Sequence, residues 1–292
     1  MINLSKVNPR GIIWIASYPR SGNTWTRAFI NNLTHLMQDS TFDDVDINRV
    51  EEWTASENSV DHYTRLLGKP GFRASPAEIA AARPKVQAEI ARAAGRPVYV
   101  KTHNAHAMDH GMPLINMGVT AGAVYLVRNP LDVAISLAHF SNVSIDRAID
   151  EMATPGFGVN STRNYVRVVW GSWSEHVGSW AGRPHPAFLV VRYEDLVARP
   201  EEHFRSIARH LMMAPDHQQL ARAVALTKFD RLRDNEAAAG FNERPHDIDT
   251  FFREGRAGQW RERLSADQVE RVVKAHHPLM RRFGYLPEQG DA

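Results

Sequence analysis

The chain has 292 residues, of which 43% are hydrophobic and 23% charged, and its formal net charge is +2 at pH 7. This composition is ordinary for a globular protein with a hydrophobic core, and so weak a charge argues against nucleic acid as a partner while still allowing a site for a small polyanion. Because cysteine is absent, disulfides, thiolate metal sites and cysteine nucleophiles are excluded.

Short apolar runs alternate with helical patterns along the chain. Four runs are rich in β-branched residues and too short for core helices, which is typical of buried parallel strands. They occupy residues 12–16, 97–100, 123–127 and 187–191. Two helices begin with capping boxes, at Ser75 and Ser265, and Gly284 is expected to end the last one. Helices are predicted at residues 24–37, 75–94, 131–140, 162–180, 201–211 and 265–283.

Strands that alternate with helices predict an α/β fold with a central parallel β-sheet flanked by helices on both faces. We expect a single domain over residues 1–292, with residues 1–10 as an N-terminal arm and residues 288–292 as a disordered tail. Residues 39–71 are polar and weakly periodic, so we predict an irregular segment that could face the substrate. No run reaches the ~18 apolar residues of a membrane span and no signal peptide is evident, so a cytoplasmic protein is expected.

The first predicted strand leads into a glycine-containing, P-loop-like segment, residues 17–25, with a helix behind it. Unpaired N–H groups at the start of a helix, together with the helix dipole, favour an anion there. Arg20 adds a positive charge, and Gly22 allows the backbone to approach a phosphate closely. Further hydrogen bonds can come from Ser21, Asn23 and Thr24. On its own, this loop could also be a capped strand–turn–helix corner without a ligand.

A second candidate anion site follows the strand at residues 123–127. Arg128 lies at the carboxyl end of that strand, where open α/β sheets bind ligands, and Ser136 lies two turns further along the predicted helix. Taken alone, these residues could be a salt-bridged arginine and an exposed helical serine. Together with the first loop, they indicate a ligand that carries two phosphate groups.

Six segments, in order along the chain, resemble motifs of the sulfotransferases that use 3′-phosphoadenosine 5′-phosphosulfate (PAPS), in particular the bacterial, cytosolic type. Residues 18–25 resemble the family's 5′-phosphosulfate loop, and residues 128–136 resemble its 3′-phosphate motif. Residues 100–103, Val-Lys-Thr-His, resemble the segment that carries its catalytic histidine. The remaining matches are residues 192–196 with its R/F-Y-E-D-L strand end, 227–229 with its adenine-contacting stretch, and 252–260 with its late R-K-G-x-x-G-x-W loop.

The chain departs from the family pattern at two site positions. Arg20 stands where the family's cytosolic enzymes usually have lysine, which keeps the charge but donates hydrogen bonds differently. Glu254 replaces the second basic residue of the late loop. The family's dimerisation pattern survives only in part, so the resemblance leaves both a monomer and a homodimer open.

The resemblance implies an enzyme that moves the sulfuryl group of PAPS, by in-line transfer, to a hydroxyl or amine of a small-molecule, carbohydrate or natural-product acceptor. The product would be adenosine 3′,5′-bisphosphate, and no metal is expected because a sulfuryl group carries less charge than a phosphoryl group. His103 would take the acceptor proton, with His106 and His110 as rival bases. Lys101 would hydrogen-bond the acceptor or the sulfuryl oxygens, and Arg20 would stabilise the leaving phosphate.

The same resemblance implies a nucleotide site that joins the first loop, the strand ends and the late loop. Aromatic members of the set would flank the adenine, Thr227 would hydrogen-bond it, and basic members would hold the phosphates. The implied nucleotide-binding residues are Arg20, Ser21, Gly22, Asn23, Thr24, Trp25, Arg128, Ser136, Tyr193, Thr227, Phe229, Arg253, Glu254 and Gly255.

Two other functions remain open from the residues alone. A small-molecule kinase would need Mg²⁺ and a loop of the form G-x-x-x-x-G-K-[ST], but this chain has Asn23 in place of the lysine. A non-catalytic binder of adenosine 3′,5′-bisphosphate would explain both anion sites but would leave Lys101 and His103 without a role.

Overall fold

A computed structural model describes residues 11–43 and 46–288 of the chain. The predicted N-terminal arm and residues 289–292 of the predicted tail lie outside the described residues. The strands are β1 (Ile12–Ser17), β2 (Thr54–Ser56), β3 (Val98–Thr102), β4 (Met108–Asp109), β5 (Met112–Pro113), β6 (Thr120–Val127), β7 (Gly158–Val159), β8 (Val168–Val169) and β9 (Phe188–Arg192).

The largest sheet has the strand order β2-β3-β1-β6-β9. Strands β1 and β2 both pair with β3 in parallel, so that Ile15 and Ser56 lie opposite Lys101. Strands β1 and β6 are buried along their whole length, as expected for strands that are covered on both faces. The predicted α/β fold with a central parallel sheet is confirmed, and the sheet contains one strand more than the sequence predicted.

The helices begin and end at local sequence signals. Capping boxes at Ser75 and Ser265 open two of the predicted helices, and Gly284 ends the last one at a φ of 69°. All predicted helices except that at residues 162–180 are confirmed, apart from single-residue differences at their ends. The helices are α1 (Asn23–Gln38), α2 (Val60–Leu67), α3 (Pro76–Ala94), α4 (Pro130–Phe140), α5 (Ile145–Ala153), α6 (Trp173–Ala181), α7 (Tyr193–Ala198), α8 (Pro200–His210), α9 (His217–Leu226), α10 (Phe229–Ala239), α11 (Trp260–Arg263) and α12 (Ala266–Phe283).

Two stretches differ from the prediction. The helix predicted over residues 162–180 is wrong in its first half, where the chain is not helical and contains β8. Gly171 takes a left-handed conformation, with a φ of 67°, and Ser172 then caps α6, so the helix cannot extend further back. Residues 39–71 are not irregular, because they contribute the edge strand β2 and helix α2.

The described residues fall into two compact units. As far as they are described, the first unit comprises Met1–Tyr18, Thr54–Tyr125 and Glu151–Val190. The second unit likewise comprises Pro19–Trp53, Leu126–Asp150 and Val191–Ala292. Organisation as one domain stays a prediction. Among the described helices, none combines the length and the apolar character needed to cross a membrane.

The first unit contains a buried ion pair beside its sheet. Arg83 on α3 and Glu57, which follows β2, are each 1% exposed, and a nitrogen and an oxygen of the two side chains lie 2.8 Å apart. Glu57 also accepts hydrogen bonds from the side chains of Thr102, at 3.3 Å, and Asn104, at 2.5 Å. Buried charges are tolerated only when they are paired and hydrogen-bonded. This network therefore holds the end of β3 in one arrangement.

Glu57→Gln should lower the free energy of unfolding by about 3–5 kcal/mol, because Arg83 would stay buried without its counter-charge. Urea unfolding followed by circular dichroism measures this loss. The matched control is Glu89→Gln, which removes a largely exposed ion pair with Arg65 and should cost less than about 1 kcal/mol. Similar small losses for both variants would contradict the expected role of the buried pair.

Candidate active site

The predicted anion loop lies at the start of α1, in the second unit. Gly22 is the N-cap residue, its φ of 98° is left-handed, and no side chain caps the helix. A Cβ atom on Gly22 would lie 2.9 Å from the ring of Tyr193, so only glycine fits between the ring and the loop. The described first turn of α1 contains no acidic residue. The N–H groups at this helix start therefore suit an anion.

Arg20, the basic residue of this loop, contacts the second predicted anion motif. Its Nε donates to Ser136 Oγ at 3.0 Å, and Nη2 donates to the carbonyl oxygen of Phe251 at 3.1 Å. Its guanidinium also lies 4.2 Å from the centroid of the Phe251 ring. Burial, followed by the positive charge of Arg128, lowers the pKa of Arg20 to about 9. A bound anion would therefore stabilise the charged form of Arg20.

Arg128 follows β6 and is only 6% exposed. Its terminal nitrogens donate to the carbonyl oxygens of Arg20, at 3.0 Å, and Arg256, at 3.2 Å. Its guanidinium lies 4.3 Å from the centroid of the Tyr193 ring. These contacts tie the anion loop and the late loop to the end of β6. The second unit thus brings Arg20, Arg128 and Ser136 together.

The late loop, residues 252–260, is anchored by Asp132 on α4. The two carboxylate oxygens of Asp132 accept hydrogen bonds from the backbone N–H groups of Gly258, at 2.7 Å, and Trp260, at 3.1 Å. Asp132 is buried and lies four residues after Arg128. The helix that begins beside Arg128 therefore also fixes the backbone of the late loop.

The other predicted residues of the late loop pack against α10 and against one another. Gly255 has a left-handed φ of 63°, and a Cβ atom there would overlap the ring of Phe229. Arg253 pairs with Glu254 at 2.8 Å, and another of its nitrogens donates to Gln259 Oε1 at 2.6 Å. Burial lowers the pKa of Arg253, and the charge of Glu254 opposes that shift.

Among the residues expected at the adenine, Trp25 and Tyr193 lie with their ring centroids 5.9 Å apart in an edge-to-face arrangement. Thr227 is fully buried at the C-cap of α9. Its hydroxyl donates to the carbonyl oxygens of Ala223 and Val224, both at 3.1 Å. Only the lone pairs of that hydroxyl remain for a base.

Several buried polar atoms near the anion loop have no hydrogen-bond partner among the described residues. They include Ser21 Oγ, Trp25 Nε1 and Arg128 Nε. An unpaired buried polar group costs about 1–3 kcal/mol, so such atoms commonly mark a place where a ligand or water binds. Hydroxyl, indole and guanidinium groups can all donate to oxygen, and the residues present therefore fit a phosphate-bearing ligand.

Arg27 on α1 is a site residue that the sequence analysis missed. It is fully buried and pairs with Glu243 at 2.7 Å. It also donates to Asn23 Oδ1 at 3.0 Å and to Thr24 Oγ1 at 3.4 Å, so it orients two side chains of the anion loop. An arginine on the buried face of a predicted helix is the signal that could have indicated this role.

The predicted catalytic segment lies in the first unit. His103 follows β3, and its Nδ1 lies 2.8 Å from the carbonyl oxygen of Ser17, the last residue of β1. Because a carbonyl oxygen can only accept, Nδ1 carries the proton of the neutral ring, and Nε2 is the nitrogen that can take a proton. Lys101 is half-buried on β3, two residues before His103.

His176 on α6 supports the backbone of this segment. Its Nε2 lies 3.2 Å from the carbonyl oxygen of His103, and its Nδ1 lies 2.9 Å from the hydroxyl of Tyr125. Burial lowers the pKa of His176 to about 3, so the ring stays neutral. Nε2 therefore donates to His103, and Nδ1 accepts from Tyr125. The sequence analysis did not identify His176, because the tryptophans around it in the sequence indicate only a helix packed in the core.

The rival bases have different surroundings. His106 lies 5.4 Å from the Trp180 ring, centroid to centroid, and burial lowers its pKa. His110 is largely exposed and lies 3.0 Å from the carboxylate of Asp109.

A model of the sulfotransferase domain matches residues 11–284. Sulfotransferase 1B1 of Canis lupus familiaris is 28% identical over 268 residues, which cover 89% of this chain and 80% of that protein. The corresponding protein of Mus musculus is 26% identical over 279 residues, which cover 92% and 83%.

Two solved structures have the same fold. Retinol dehydratase in complex with androsterone and the inactive cofactor PAP gives a TM-score of 0.61 at 20% identity, over 93% of this chain and 81% of that chain. Mouse sulfotransferase SULT7A1 complexed with PAP gives a TM-score of 0.59 at 20% identity, over 93% and 85%. Since the domain model extends over almost all of the described residues, the chain belongs to the sulfotransferase domain family.

Proposed function

We propose that this sulfotransferase takes its sulfuryl group from PAPS and that the second unit holds the nucleotide. The observation that carries the proposal is the cluster of Arg20, Arg128 and Ser136 beside a helix start without a side-chain cap. The N–H groups of the loop and Arg20 would hold the 5′-phosphosulfate. Arg128, Ser136 and Arg253 would hold the 3′-phosphate.

Two further observations support this donor. The retinol dehydratase and mouse sulfotransferase structures, which share the fold, both contain PAP. The buried donors Ser21 Oγ and Arg128 Nε, which have no partner among the described residues, match the oxygens of a phosphate ligand. A kinase is not favoured, because the domain family is that of sulfotransferases and Asn23 stands where a nucleoside-triphosphate loop has lysine.

In the proposed reaction, the acceptor oxygen attacks sulfur while the bond between sulfur and the bridging phosphate oxygen breaks. Negative charge grows on that leaving oxygen, where Arg20 and the N–H groups at the start of α1 would stabilise it. Nε2 of His103 takes the acceptor proton, and Lys101 donates to the acceptor or the sulfuryl oxygens. The products are the sulfated acceptor and adenosine 3′,5′-bisphosphate, with the released proton on His103.

We propose a small molecule with a hydroxyl group as the acceptor. Retinol dehydratase, which shares the fold, contains androsterone together with PAP in its solved structure, which supports an acceptor of this size. In this chain, the segment that follows His103 lines an open cavity of about 370 Å³. The residues around the cavity are His106, Ala107, Met108, Pro113, Ile115 and Met117. Most of these side chains are apolar, which favours an aromatic or aliphatic acceptor over a sugar.

Sulfuryl transfer can be tested with ³⁵S-labelled PAPS and a panel of phenols, sterols, sugars and amines. The expected result is labelled acceptor, with release of adenosine 3′,5′-bisphosphate in equal amount and no loss of rate in EDTA. Phenols or sterols should be the best substrates in the panel. Tight nucleotide binding with no transfer to any acceptor would instead favour a non-catalytic binder.

His103→Ala should lower kcat for the best acceptor of that panel by about 10²–10⁴-fold, because the acceptor proton would lose its base. The dissociation constant for adenosine 3′,5′-bisphosphate should change by less than about twofold, since the proposed nucleotide contacts involve other residues. Steady-state kinetics and calorimetry measure the two quantities.

The matched control for this substitution is His110→Ala, which removes a rival imidazole outside the residues that line the proposed acceptor cavity and should retain kcat. If His103→Ala kept its activity while His106→Ala or His110→Ala lost it, the assignment of the base to His103 would be wrong.

A further inference from the structure

Glu254 lies among arginine side chains of the late loop and α11. Its Oε1 is 2.8 Å from Arg253 Nη1 and 3.4 Å from Arg263 Nη2, and its Oε2 is 3.0 Å from Arg256 Nε. The Glu254 side chain is only 21% exposed. A single carboxylate is therefore shared by three guanidinium groups at the place where the sulfotransferase motif has a basic residue.

This cluster adjoins the proposed 3′-phosphate site, because Nη2 of Arg128 donates to the carbonyl oxygen of Arg256 at 3.2 Å. Burial lowers the pKa of Arg253, as do the charges of Arg263, Arg128 and Arg256, whereas Glu254 opposes these effects. Arg128, Arg256 and Arg263 thus add positive charge around Arg253, and an added anion would be attracted to it. That anion would meet a carboxylate already bonded to Nη1 of Arg253.

We propose that Glu254 is an internal counter-ion that competes with the 3′-phosphate for Arg253 and thereby lowers the affinity for 3′-phosphorylated nucleotides. The inference rests on the proposed function, because it takes Arg253 as part of the 3′-phosphate site. A phosphate and a carboxylate on one guanidinium repel each other, so binding of the nucleotide moves Glu254 away from Arg253. The enzyme consequently holds adenosine 3′,5′-bisphosphate, its own product, less tightly than the arginines alone would allow.

Glu262 provides a matched comparison within the same cluster. It pairs with Arg256 at 2.7 Å, but its side chain is 61% exposed and it contacts a different guanidinium from the one assigned to the phosphate. Removing its charge changes the net charge of the region by the same amount as removing that of Glu254. Comparing variants that lack the Glu254 charge with variants that lack the Glu262 charge therefore distinguishes direct competition at Arg253 from a general electrostatic effect.

The test is calorimetric titration of the full chain with adenosine 3′,5′-bisphosphate and with 5′-AMP. Glu254→Gln should bind the bisphosphate about three- to fivefold more tightly than the wild-type chain, since a partly exposed ion pair of this kind no longer competes. Its affinity for 5′-AMP, and both affinities of Glu262→Gln, should change by less than about 1.5-fold. Glu254→Lys, which restores a basic residue, should tighten binding of the bisphosphate further.

Three results would overturn the inference while leaving the proposed donor intact: no tighter binding of the bisphosphate by either Glu254 variant, equal tightening for 5′-AMP, or equal tightening by Glu262→Gln. Failure of the wild-type chain to bind the bisphosphate at all would instead overturn the proposed function, and with it this inference.

Discussion

The buried guanidinium of Arg128 is the constraint on which the arrangement of the second unit depends. A charge removed from water is costly unless hydrogen bonds or opposite charges compensate it. Arg128 is compensated by the backbone carbonyl oxygens of Arg20 and Arg256 and by the ring of Tyr193. These contacts replace water as hydrogen-bond and ring partners of the guanidinium. Because burial and Arg128 also disfavour the charged form of Arg20, the two arginines together favour a bound dianion.

In the first unit, hydrogen bonds position His103, the proposed catalytic base. His103 is held on neutral groups: its ring donates to the carbonyl oxygen of Ser17, and its own carbonyl accepts from His176. Thr102 and Asn104, which flank His103 in the sequence, both donate hydrogen bonds to Glu57 of the buried ion pair with Arg83. An imidazole held in one tautomer is suited to proton transfer, whereas buried guanidinium groups beside a helix start are suited to anion binding. Ser17, whose carbonyl oxygen accepts from His103, is the last residue of β1, and the anion loop with Arg20 follows it in the sequence.

Local patterns predicted four of the five strands of the largest sheet, five of the twelve described helices with part of a sixth, and the anion loop. Hydrophobic periodicity and caps depend on residues that are consecutive in the sequence, so these elements could be recognised. Strand β2 was missed because three residues cannot display a period, and the helix predicted before Trp173 was wrong because Gly171 and Ser172 outweighed its apolar pattern. Ion pairs between residues that are far apart in the sequence produce no local pattern. Arg27 with Glu243 and Glu57 with Arg83 could be found only after folding had brought them together. The sequence placed Glu254 among the expected nucleotide residues and showed an acid where the family motif has a basic residue. Only the fold shows that this acid lies between arginines and can act as their counter-ion.

The most direct test of the account is calorimetric titration of the wild-type chain and Arg128→Ala with adenosine 3′,5′-bisphosphate, 5′-AMP and ATP–Mg²⁺. The wild-type chain is expected to bind the bisphosphate most tightly and without metal. Arg128→Ala should lose about 10- to 100-fold in affinity for the bisphosphate, as expected for a hydrogen bond to a charged group. The loss for 5′-AMP should be clearly smaller, since the anion loop loses only the hydrogen bond between Arg128 and the carbonyl oxygen of Arg20. Arg205→Ala, on the exposed side of α8, is the charge-matched control. Equal losses for bisphosphate and 5′-AMP, or a preference of the wild-type chain for ATP–Mg²⁺, would contradict the account.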